Sequence, residues 1–389
     1  MTVWDDLVGQ EPAVAVLRKA VSGAAAAIRG ESGAAVVGMT HAWLITGPPG
    51  SGRSNAGRAF AAALQCPDQG CGECNGCKTV LTGAHPDVSL IRTELLSIRV
   101  SEIRELVRRA AMSPTQGRWQ VMVIEDADRL TEQAADALLK SIEEPAPRTV
   151  WVLCAPTVED VVPTIRSRCR LLVLRTPPVN AVAQMLVRKL EIDPELAGFA
   201  ARAAQGHIGR ARALARDEDV RARRSKVLEV PFALRDLGAC LKAAQQLVEA
   251  AKEEAKASAE KVDEKERAAL EQALGVGTKG AKPREANAAL KELEDQQKAR
   301  AKRWERDVLD RSLVDLMALY RDVLVLQTKA GAELINAELT RQIEALGART
   351  TPESTVRRLG AITHCREAIE TNVAPLLALE AMTIGLFEG

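Results

Sequence analysis

The chain has 389 residues, 47% of them hydrophobic and 27% charged, enough apolar material for the cores of two or three domains. Its 53 Lys and Arg against 52 Asp and Glu leave a formal net charge of +1, so no global field draws it to nucleic acid or to an anionic membrane, and any DNA contact has to be local. No apolar run approaches the ~20 residues that span a bilayer, and the opening Met1-Thr-Val-Trp-Asp-Asp lacks the regions of a signal peptide, so the expected location is the cytoplasm with no membrane contact.

Five short apolar runs read as buried parallel strands: Ala42–Thr46, Asp87–Ile91, Gln120–Ile124, Thr149–Cys154 and Arg170–Leu174. Helical patterns separate them, such as Ala135, Leu138, Leu139 and Ile142, and this alternation predicts an α/β domain over residues 1–176 with right-handed crossovers. Pro177-Pro178 ends the strand signal. A small helical domain is expected over 177–225 and an all-α domain over 226–389, in keeping with the low aromatic content and the abundance of Ala and Leu.

Inside the last region, residues 241–305 differ from their surroundings. Ala244, Val248, Ala251, Ala255, Val262 and Ala269 recur at helical spacing amid dense mixed charge, as in a narrow-seamed helix. The Gly- and Pro-containing run from Gly275 to Pro283 interrupts the pattern, and Leu290, Leu293, Trp304 and Val308 resume it, which predicts an antiparallel helical arm. A solvated insertion is the plainer alternative.

The first chemical motif follows the first strand: Gly47-Pro-Pro-Gly50-Ser-Gly52-Arg53-Ser54, leading into a helix. Glycines let successive backbone N–H groups curl around phosphate oxygens, and the helix N-terminus adds partial positive charge. The Walker pattern places Lys where this chain has Arg53. Lys is a compact point charge and Arg a planar fork, so the exchange is not conservative here. Glu125-Asp126 then ends the third strand, where acidic groups of P-loop ATPases hold Mg²⁺ and orient water. A solvated strand end is the bland reading of that pair.

Four of the eight cysteines crowd together as Cys66-x4-Cys71-x2-Cys74-x2-Cys77, a spacing that suits tetrahedral structural Zn²⁺. Gly70, Gly72 and Gly76 are expected to permit the turns. Cys154, Cys169, Cys240 and Cys365 read as buried fillers. The four histidines, His41, His85, His207 and His364, make no ligand spacing and read as structural. Arg99, Arg104, Arg108 and Arg109 share a predicted helix, which reads first as a solvated face and second as a track for DNA phosphates.

Trp4-Asp-Asp-Leu-Val-Gly-Gln10, Gly47–Ser54, the cysteine cluster, Leu138-Leu-Lys-Ser-Ile-Glu-Glu-Pro145 and Ile165-Arg-Ser-Arg-Cys169 occur in the order seen in the clamp-loader subunits of bacterial DNA polymerase III, an AAA+ family. The resemblance covers about the first half of the chain. It implies an AAA+ P-loop domain with a parallel five-stranded sheet, then a helical lid and an all-α collar domain, with the zinc insertion at 66–77. Arg168 then corresponds to the arginine that reaches into the ATP site of a neighbouring subunit.

Three departures resemble the non-motor, delta-prime pattern within that family. Arg53 replaces Lys, the acidic pair runs Glu125-Asp126 instead of Asp-Glu, and Ala155-Pro156 falls where a polar phosphate sensor is expected, with Thr157 late. A second sensor around Gly206-His-Ile-Gly-Arg210 aligns ambiguously. The resemblance therefore implies a subunit that helps to load a sliding clamp onto primed DNA, in a hetero-oligomeric ring with motor and delta-like subunits. It leaves ATP or ADP with Mg²⁺ as a ligand held without turnover. Two readings compete: an active AAA+ ATPase, either the motor of the same loader or a free-standing remodeller, and a zinc-stabilised binding module with no nucleotide role. Glu143 and Glu144 close a predicted helix at its negative end, where carboxylates are disfavoured, and such rule-breaking points to a working surface.

Overall fold

In the computed structural model, the described residues are 2–93, 97–116, 118–274, 283–371 and 373–389. They form two compact units, Met1–Arg216 and Asp217–Gly389. The expected boundary between 225 and 226 falls inside a helix that runs Glu218–Ala233.

The first unit is built on a parallel sheet of β1 (Ala42–Thr46), β2 (Val88–Ile91), β3 (Gln120–Ile124), β4 (Thr149–Ala155) and β5 (Arg170–Val173), in the order β2-β3-β4-β1-β5. These are the five expected runs, with ends displaced by one residue at most. Every residue of β1, β3 and β4 is buried, as parallel strands covered on both faces require. The period of two divides the side chains between two cores. Trp43, Ile45, Val121, Val123, Val150 and Val152 join one of them, against α1 (Glu11–Ile28) and α2 (Arg53–Gln65). Leu44, Met122, Ile124, Trp151 and Leu153 join the other, against α4 (Val100–Ala110) and α5 (Glu132–Glu143). A short α3 (Asn75–Leu81) follows the cysteine loop, and α6 (Pro163–Arg166) leads into β5. The edge strand β5 leaves Leu171 and Val173 exposed.

Three helices complete this unit: α7 (Val179–Leu190), α8 (Pro194–Ala203) and α9 (Ile208–Arg216). They are tied back to the sheet domain at specific points. Gln10 is buried; its amide donates to the carbonyls of Ser51 (3.3 Å) and Arg175 (2.6 Å) and accepts from the Arg175 N–H at 3.1 Å. Lys189 of α7 donates to the Asp5 carbonyl at 2.9 Å and pairs with Asp6 at 2.8 Å.

The second unit is helical: α10 (Glu218–Ala233), α11 (Leu237–Ala273), α12 (Pro283–Thr328), α13 (Thr340–Arg349), α14 (Pro352–Glu370) and α15 (Pro375–Glu388). Its core gathers Leu247, Leu309, Leu316, Leu319, Ile343, Ile362 and Leu379 among others. The long helices α11 and α12 pair as the expected arm: Ala251, Ala255 and Ala259 are buried along the seam, and Arg300 of α12 is buried against Asp263 and Glu266 of α11. Ala269 is exposed, so the seam leaves the predicted positions toward its far end. The predicted tip at 275–282 lies outside the described residues.

Candidate functional site

The loop after β1 has the backbone of a phosphate cradle. Gly47, Gly50 and Gly52 all take positive φ, at 157°, 80° and 95°, and Gly52 is the N-cap of α2. At Gly50 and Gly52 this is the left-handed region that glycine enters freely. Successive N–H groups in such a turn, with a helix N-terminus behind them, make an anion-binding concavity.

The side chains around it have partners within the chain. Arg53 is half-buried, and its guanidinium donates to the loop's own Gly47 carbonyl. Burial holds its pKa below the ordinary arginine value, partly offset by Cys154, Asp128 and Asp126. Arg58, one turn further along α2, pairs with Glu125 at 2.6 Å, and Glu125 is buried at the end of β3. The first carboxylate of the acidic pair is thus neutralised from within the chain. Asp126 Oδ2 and Ser51 Oγ are buried without a hydrogen-bond partner among the described residues. Burial raises the Asp128 carboxyl. The β1–β4 register sets Ala155 beside Thr46, and Thr157, the late polar residue, turns to Asp160, with its N–H 2.8 Å and its hydroxyl 2.9 Å from Asp160 Oδ2.

Sequence reasoning missed two residues here. Arg58 carried no motif signal beyond being a base on the helix after the loop. His207 read as structural, yet it lies against the loop: a Cβ on Gly50 would collide with its imidazole, and the Ile208 N–H donates to the Gly50 carbonyl at 3.4 Å. Its Nδ1 accepts the Arg210 N–H at 3.2 Å. Its place in Gly206-His-Ile-Gly-Arg210 was the available signal. The backbone cradle and the two unsatisfied polar groups fit a phosphate with its cation. Arg53 and Glu125 are both held by this chain's own partners.

The four cysteines do come together. Their Sγ atoms lie within 4.8 Å of one another, with Cys66 to Cys71 at 3.6 Å and Cys66 to Cys74 at 3.7 Å. Tetrahedral ligands at a Zn–S distance of about 2.3 Å sit about 3.8 Å apart, so the donor set fits zinc. The N–H groups of Cys71, Cys74 and Cys77 each point at the preceding ligand sulfur at 3.4 Å. Donation from the Glu73 and Cys74 amides brings the Cys71 thiol down to about 7, which favours the thiolate that metal needs. Burial pushes Cys77 and Cys74 the other way. Gly70 and Gly72 have positive φ, but Gly76 lies within α3, packed against the Gln65 carbonyl, so it serves close approach and not a turn. Cys154 and Cys365 are buried, and burial raises their thiols and that of Cys169 to about 12, as expected of fillers.

The knuckle also holds the N-terminal segment. The Val3 N–H donates to the Gly70 carbonyl at 3.1 Å, Trp4 Nε1 to that of Gln69 at 3.4 Å, and a Cβ on Gly70 would meet Val3 and Trp4. From there the strand of contacts runs to Lys189 through Asp5 and Asp6, and to the phosphate loop through Gln10.

Arg168 sits elsewhere. It precedes β5, and Arg170 pairs in register with Trp43 at the start of β1. Gly47 follows the other end of β1, four residues on, about 13 Å along the strand. Arg168 is therefore at the opposite edge of the sheet from its own phosphate loop. It is exposed, as is Arg166. On α4, Arg108 and Arg109 pair with Glu105, and Arg109 also approaches Ser89 at 3.5 Å, which suits the solvated-face reading.

Part of the chain matches known proteins. Residues 32–178 match the family described as DNA polymerase III, delta subunit. The chain is 35% identical over 160 residues to the DNA polymerase III subunit delta' of Pseudomonas aeruginosa, covering 40% of this chain and 49% of that one. It is 32% identical over 159 residues to the subunit gamma/tau of Mycobacterium tuberculosis, covering 39% of this chain and 27% of that one. The chain thus spans about half the length of the first of these relatives and about a quarter of the second. A DNA polymerase III gamma subunit-related protein from Thermotoga maritima aligns with 95% of this chain and 99% of its own at 17% identity and a TM-score of 0.40. Across residues 32–178 the chain is similar to the delta-prime-like clamp-loader subunits of bacterial DNA polymerase III.

Proposed function

We propose that this chain is a non-motor clamp-loader subunit that helps to load a sliding clamp onto primed DNA and lends Arg168 to the ATP site of a neighbouring motor subunit. One observation carries the reading: the groups that would hydrolyse ATP are tied up within the chain, while the arginine of Ser167-Arg168-Cys169 stands exposed at the far edge of the sheet. A planar guanidinium there is suited to neutralise charge that develops on a phosphoryl group in transfer across a subunit boundary.

In this reading the cradle of Gly47, Gly50, Gly52, Arg53 and Ser54 holds ADP or ATP through backbone amides without turning it over, with Glu125 and Asp126 as the acidic groups near Mg²⁺. Cys66, Cys71, Cys74 and Cys77 bind a structural zinc ion that supplies no chemistry. Residues 177–216 act as the lid and the second unit as the collar of a hetero-oligomeric ring with motor and delta-like subunits. The motor alternative requires Arg53 and Glu125 to act in hydrolysis, and their internal partners disfavour it.

The test is the DNA-stimulated ATPase of the reconstituted loader at matched assembly. Arg168→Ala is expected to lower it by about 10³-fold, the lower end of the range for such groups, while zinc content and fold are kept. Arg166→Ala should do much less. Unchanged turnover with Arg168→Ala in a fully assembled loader would leave only a scaffold role.

A further inference from the structure

The geometry points to Glu143 as the positioning residue of Arg168, a role that rests on the proposal that Arg168 acts in trans. Glu143 ends α5, and its carboxylate pairs with Arg168 Nη2 at 2.5 Å. Arg168 Nη1 donates to the Thr164 carbonyl at 2.7 Å and to Ser167 Oγ at 3.1 Å. A guanidinium has five N–H donors. Those three contacts use three of them, and among the described residues the Nε–H and one Nη2–H have no further partner. The side chain is thus held on two sides before a phosphate arrives, whereas an unrestrained arginine on a surface turn would have to be ordered at the moment of use.

Three features argue against an incidental surface pair. The holding groups come from two elements that are themselves fixed: Leu138 and Ile142 bury α5, and Ile165 buries α6. The carboxylate also sits at the negative end of its helix, where a base would suit the helix better, so helix stability gives no reason for an acid there. Glu144, the next residue and also exposed, has no ion pair with Arg168 among the described contacts, which confines the role to one of the two acids.

The experiment is a double-mutant cycle on the reconstituted loader, with kcat and KM for ATP measured for wild type, Glu143→Ala, Glu143→Gln, Arg168→Ala and the Glu143→Ala/Arg168→Ala pair. Expected is a fall in kcat of roughly tenfold for Glu143→Ala with KM little changed, since a small misplacement of a positioned group costs rate more than binding. Glu143→Gln, which keeps an acceptor oxygen, should retain part of the loss-free rate. In the Arg168→Ala background, Glu143→Ala should change nothing further. An equal fall in both backgrounds, or none in the wild-type background, overturns the assignment of Glu143 while leaving the Arg168 reading intact. No effect of Arg168→Ala itself overturns both, and is told apart by that single variant. Thermal midpoints of the isolated chains within about 2 °C of wild type show that the variants fold; if Glu143→Ala does not, the cycle is read with Glu143→Gln.

Discussion

At Arg53, one substitution in a familiar loop changes what the loop can do, and the surrounding side chains explain why reverting it would not suffice. The guanidinium turns back onto the Gly47 carbonyl, but Glu125 is separately held by Arg58, and Ala155 offers no polar group beside the cradle. Arg53→Lys should therefore leave phosphate release by the isolated chain at background; robust turnover in that variant would show that the arginine alone silences the site. A second residue-scale prediction concerns Asp87. It was read as the first residue of a strand and lies just before β2, where its buried carboxylate accepts from the Thr115 N–H (2.7 Å), the Thr115 hydroxyl (2.5 Å) and the Gln116 N–H (2.9 Å). Burial pushes its pKa up, but these donors outweigh burial and hold it below the ordinary value of 3.8. A depressed folded-state pKa contributes stability that is present above the unfolded value and lost as pH falls through the folded one. Asp87→Asn should cost about 1–2 kcal/mol near neutral pH, and the gap in melting temperature to wild type should close below about pH 4. A gap that stays constant down to pH 2 would contradict this.

At the scale of elements, the cysteine knuckle does more than close its own loop. It holds Val3 and Trp4 through the Gly70 and Gln69 carbonyls, and the following Asp5, Asp6 and Gln10 reach α7 and the phosphate loop. The strands of the sheet come from elsewhere in the chain and keep their own two cores. Metal removal, by chelation or by Cys74→Ser, should thus raise hydrogen exchange in residues 66–77 and 2–10 by tenfold or more while β1, β3 and β4 stay protected. Exchange confined to 66–77 would show that the N-terminal segment is held without the knuckle. Elemental analysis should find about one zinc per native chain.

For the whole molecule, the core of the second unit is separate from the two cores of the first, which implies two units that fold on their own terms. The division between them falls at Arg216–Asp217, at the end of α9. A fragment of residues 1–216 should be soluble, bind zinc and melt cooperatively, while a fragment ending at 176 should melt at least several degrees lower. The reason is that α7 and α9 supply the partners of Asp6 and Gly50. Equal melting temperatures for the two fragments would argue against this.

The strands, the glycine loop after β1, the gathering of four cysteines and the helical second half were all legible in the sequence, because each depends on local rules: period-two burial, glycine at positive φ, thiol spacing, helical periodicity. The antiparallel arm was legible for the same reason, as far as the pairing of Arg300 with Asp263 and Glu266. Pairings between distant residues were not. Arg58 meets Glu125 across 67 positions, His207 meets Gly50 across more than 150, and α7 and α9 reach back to Asp6 and Gly50. Local spacing identifies which groups a site contains. Only the folded chain decides which of them already have partners, since burial makes an unpaired charge costly and drives each to the nearest counter-charge that packing brings within reach.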